Sequence, residues 1–101
     1  TAQTNDMKKI VGLWSSDGTS TKLVFFFDQL NHLQFVQWDT ASGEEMEITA
    51  MKIKKDTIST TETFKKTNHV TYHLYYLKDQ NTLVNVIAGD ANTTLYFKRR
   101  K

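Results

Sequence analysis

Three features of this 101-residue chain predict an all-β fold, an eight-stranded antiparallel up-and-down meander barrel. Short runs of β-type residues alternate with turn clusters at nearly even intervals, and a spacing of roughly 8–12 residues marks a barrel or sandwich. Each link between runs is short enough for an antiparallel hairpin. No stretch carries a helical period, and no repeat or low-complexity segment breaks the series. A sequential meander of this kind is expected to close on itself, because closure removes exposed strand edges.

The first run covers residues 9–16 and stops at Ser16-Asp17-Gly18. Residues 22–28 follow, with Leu23, Val24, Phe25, Phe26 and Phe27 in succession, a composition suited to a pleated strand. Asp28 to His32 turn the chain into 33–40, and Ala41-Ser42-Gly43 leads on to 46–54. Lys55-Asp56 is a tight link into 57–64. Residues 65–68 connect to 69–77, residues 78–81 to 82–88, and Gly89-Asp90-Ala91-Asn92 to the last run, 93–99. Residues 1–8 read as a flexible arm ahead of a single domain spanning 9–101.

Alternation separates the two faces of each run. Val70, Tyr72, Leu74 and Tyr76 share one side and are expected inside, opposite His69, Thr71 and His73. Leu95, Phe97 and Arg99 share the inner side of the last run. Runs 22–28 and 33–40 are apolar on both faces, which places Val24, Phe26, Val36 and Trp38 outside. Such a patch calls for cover, either by the N-terminal segment or a loop, or by a second chain in a homodimer or partner complex.

A hydrophobic share of 39%, with 12% aromatic, excludes a disordered segment. No run approaches the ~20 apolar residues of a membrane helix. The net charge of +2 gives no ground for nucleic acid as partner. Without Cys there is no disulfide and no thiol chemistry. The charges are nonetheless polarised. The end with both termini and the turns near Asn31, Lys55 and Asp79 collects a net +6, and the end with the turns near Asp17, Ser42, Thr67 and Asp90 a net −4, with Glu62 counted among its surface acids. The chain opens on Thr1 and stays polar to Asp6. Removal of an export signal and a trimmed expression product both produce such a start, and a secreted or periplasmic location is the expectation.

His69 and His73 stand four apart on one run, roughly 13 Å at strand rise, too distant to share a zinc ion. All three histidines are expected on the surface. No nucleophile elbow, phosphate-binding loop or zinc spacing is present, so neither an enzymatic activity nor a cofactor is expected. Glu44, Glu45 and Glu47 read as solvated charges at a hairpin tip. Asn85, in phase with Leu83 and Ile87, is the one polar residue expected inside, either satisfied by a Tyr hydroxyl or water or acting as a ligand contact.

Gly12-Leu13-Trp14 on the first run resembles the Gly-x-Trp motif of lipocalin and lipocalin-like (calycin) barrels. The resemblance implies a Trp that closes one barrel end and an Arg on the last strand packed across its indole. The matching residues are Trp14 and Arg99, with Arg100 outward. Specific residues match only at Gly12, Trp14 and Arg99, and the chain is too short for the family's long helix. The family implies a small apolar ligand at the open mouth, where Tyr72, Tyr76 and Asn85 would present polar atoms. An interior of eight strands is just wide enough to be filled by side chains or to hold one small ligand. The alternative is a small exported interaction module, similar to bacterial protease or lysozyme inhibitors, that acts on a protein partner through a loop or the N-terminal arm.

Overall fold

In the computed structural model, which describes residues 7–89 and 92–100, a 3-10 turn at Met7–Ile10 leads into eight strands. These are β1 (Gly12–Ser15), β2 (Thr21–Phe27), β3 (Leu33–Asp39), β4 (Glu47–Lys54), β5 (Thr57–Phe64), β6 (His69–Asp79), β7 (Thr82–Ala88) and β8 (Thr93–Arg100). All pairings are antiparallel, in the order β3-β2-β1-β8-β7-β6-β5-β4. The first and last strands pair with Trp14 opposite Arg99, which curls the meander strongly into a half-barrel. No helix among the described residues is long and apolar enough to cross a membrane. The expected N-terminal arm falls mostly on residues 1–6, and the Asp90 turn on 90–91, both outside the described residues.

β1 begins later than the periodicity suggests, at Gly12 rather than at residue 9. The reason is local: the indole N–H of Trp14 donates to the Ile10 carbonyl at 2.8 Å, and the buried Ile10 side chain folds under the barrel. Carboxylates organise several turns. Asp28 accepts from the backbone N–H groups of Leu30 and His32, both at 2.9 Å, and Asp79 from that of Asn81 at 2.9 Å. Asp39 accepts from the Ser20 hydroxyl and from the Ala41 N–H. These bonds hold all three carboxyls below the usual Asp value, led by His32, Asn81 and Ser20 respectively. Asn31 and Asn68 take the left-handed conformation at φ 63° and 55°, which Asn tolerates better than most residues.

The expected closure is incomplete. Beside the β3–β4 turn, Asp39 N–H donates to the Glu44 carbonyl at 2.8 Å and Met46 N–H to the Gln37 carbonyl at 2.9 Å. Beyond that point β3 and β4 part, and their Cα atoms stay more than 8 Å from one another over most of their length. A bulge between Ile48 and Ala50 bends β4 where the two strands separate. Inside, Phe25 stacks on Phe35 with centroids 4.9 Å apart, and Tyr75 meets both rings edge-on at 6.0 and 5.5 Å. Trp14, Leu23, Ile58, Leu83 and Phe97 complete a buried core.

Candidate functional site

The interior divides into two halves. At the terminal end, the Arg99 guanidinium lies over the Trp14 ring, 4.3 Å from its centroid, within cation–π range. Arg99 also donates to the carbonyls of Lys9, Val11 and Gln80, tying the 3-10 turn and the β6–β7 turn to the indole. Gly12 makes this approach feasible. Its φ of +138° strains any L side chain, and a Cβ there would stand 2.9 Å from Arg99 Nη1. Arg100, on the outer face, pairs with Asp17 at 2.8 Å and donates to Ser15.

The half nearer the Ser42 and Thr67 turns, the end at which the lipocalin-like resemblance would put the mouth, is polar. β5 turns Thr60 and Glu62 inward, β6 turns Thr71, His73 and Tyr75 inward, and β7 and β3 add Asn85 and Gln37. Glu62 is fully buried, and its Oε2 accepts from Thr60 Oγ1 and Tyr75 Oη, both at 2.6 Å. Its Oε1 has no hydrogen bond and faces His73 Nε2 at 3.5 Å. The other imidazole nitrogen, Nδ1, lies 3.0 Å from Asn85 Oδ1, while Thr71 Oγ1 sits 2.7 Å from Nε2. A proton on Nδ1 satisfies the Asn85 oxygen. A second on Nε2 makes an imidazolium facing the carboxylate, whereas without it Nε2 accepts from Thr71. Burial, and then the adjacent Glu62 charge, push the Tyr75 phenol well above its usual 10.0. The phenol therefore remains a donor.

Several expected placements need correction. Tyr72 and Tyr76 point outward from β6 and not into the barrel; Tyr72 is 57% exposed. His73 is buried, not on the surface, and Glu62 leaves the mouth's surface charge for the core. The polar side of β6 can face inward because its groups meet partners on β5 and β7, a match between strands that alternation within one strand does not reveal. One signal was available: Glu62 sits in phase with Ile58 and Phe64, the two apolar residues of its run. Asn85 does lie inside, and its partner is His73. Val24, Phe26, Val36 and Trp38 lie on the outer face, only partly covered by the described chain.

A second apolar exterior covers β6 to β8, where Val70, Tyr72, Leu74, Tyr76 and Tyr96 are exposed. Lys78 Nζ stands 5.7 Å from the Tyr96 ring centroid. At the β3–β4 seam a cleft of about 200 Å³ is lined by Gln34, Phe35, Ile48, Thr49, Ala50 and Met51. Among the described residues no group of three or more His, Cys, Asp or Glu side chains gathers to hold a metal ion. No protein-family model, curated protein or solved structure matches this chain. The curled antiparallel half-barrel is compatible with a lipocalin-like barrel.

Proposed function

We propose that this chain is a non-catalytic protein-interaction module on a lipocalin-like barrel, similar in size and form to small exported inhibitors. The observation that carries this reading is the occupied interior. Trp14, Phe25, Phe35, Tyr75 and Phe97 take up the apolar part, and the polar side chains of the other half bond to one another. The seam cleft, about 200 Å³, is too small to enclose a drug-sized ligand, which takes about 300 Å³ or more. The outer surface supports the same reading, because exposed Tyr side chains such as Tyr72 and Tyr96 are typical of protein contacts.

A small apolar ligand inside the barrel is the rival reading. Native mass spectrometry of gently purified protein separates the two. The interaction module is expected at the mass of the bare chain, whatever apolar compounds the host supplies. A stoichiometric apolar compound that co-purifies, and whose removal lowers the melting temperature, overturns the proposal.

A further inference from the structure

We infer that the β3–β4 seam accepts one extended peptide segment of a partner protein, which completes the barrel by β-strand addition. This rests on the interaction-module reading and locates its docking site. Paired strands lie about 4.8 Å apart, so one inserted strand needs its two neighbours roughly twice that distance from each other. β3 and β4 leave the ladder spacing far behind, since their Cα atoms stand more than 8 Å apart over most of their length, where directly paired strands would stand about 4.8 Å apart. The edges also carry unused backbone groups. Asp39 N–H and Gln37 C=O bond across the seam. Backbone groups of alternate residues point to the same side, so those of Phe35 and Leu33 also face the seam, and no ladder to β4 uses them. From Met46, the same alternation turns Ile48 toward the seam.

Side chains narrow the occupant further. Phe35, Ile48 and Met51 flank the cleft, so residues of the segment that face inward must be apolar and alternate with polar ones. Charge sets its direction. Exposed Glu45 and Glu47 stand at the turn end of the seam, and exposed Lys52 and Lys54 at the splayed end. The complementary segment carries a basic residue toward the first pair and an acidic residue toward the second. The bulge and the two lysines disfavour indiscriminate edge pairing, so they add selectivity to the slot.

Selection of the whole protein against a library of random heptapeptides, followed by amide hydrogen exchange with the enriched peptides, tests the site. Enriched sequences are expected to alternate apolar and polar residues with opposite charges at their ends. On binding, the amides of Leu33, Phe35 and Ile48 should exchange at least about tenfold more slowly. In the double variant Lys52→Glu/Lys54→Glu, the consensus residue at that end should change from acidic to basic. Enrichment of peptides that protect only β6–β8 overturns the seam and leaves the interaction module standing. No enrichment, or a consensus unchanged in the double variant, also overturns it, while the mass-spectrometric result decides the broader reading separately.

Discussion

The two halves of the interior reach full burial by opposite routes. At the terminal end, Trp14 is buried against Arg99, whose charge is spread over an indole and three carbonyls supplied by neighbouring turns. The contact follows from a short motif, since β1 and β8 pair in register with Trp14 opposite Arg99. Toward the mouth, Glu62, His73 and Asn85 come from three strands, and each is tolerable only because the others are in place. An apolar core loses stability in proportion to the contact removed, whereas a buried polar cluster loses more than its bonds when one member leaves, because the remaining groups stay desolvated.

Trp14→Ala offers the largest test. Removing a fully buried indole should cost about 3–5 kcal/mol in a denaturant melt, and a loss under about 1 kcal/mol would show that the terminal half does not depend on it. Glu62→Ala should come next, at about 2–4 kcal/mol, because the Thr60 hydroxyl loses its buried acceptor, Tyr75 keeps only Gln37 at 3.0 Å, and His73 loses the carboxylate it faces. Glu62→Gln keeps an acceptor oxygen of the same reach and should recover at least half of that loss. Equal melts for the two variants would mean that the site requires the carboxylate itself, facing His73, and not merely an acceptor of that shape.

The smallest expected effect is in pH dependence. Burial raises the Tyr75 phenol above its ordinary 10.0 in the folded chain. Its contribution is therefore complete below pH 10 and declines as pH rises toward the folded value, because only the unfolded chain ionises there. Stability measured from about pH 9 to 11 should fall more steeply for the wild type than for Tyr75→Phe. Parallel slopes in the two proteins would place the phenol in ordinary solvent contact and dissolve the contrast between the halves.

Much of this architecture is legible without coordinates. Turn residues at Asp28, Gly43, Asn68 and Asp79 mark the strand ends, because their side chains or conformations suit a reversed chain. The resemblance of Gly12, Trp14 and Arg99 to a lipocalin-like motif implied the packed end, and parity along the last strand placed Arg99 on its inner face, where it meets the indole. Period-two alternation also separates the sides of β6, but it cannot tell which side faces in. Tyr72 and Tyr76 look like core and lie outside, whereas His73 looks like surface and lies inside, because a polar face is buried whenever partners such as Glu62 and Asn85 meet it. The open seam belongs to the same class of fact. Local residues make β3 and β4 strands, but whether the last two edges meet depends on the curl summed over the whole sheet and on the bulge in β4. Strand order was therefore legible in the sequence alone, and the Trp14 end through the motif it resembles. The inner face of β6 and the gap in the barrel were decided only in three dimensions, because both depend on what distant strands place opposite.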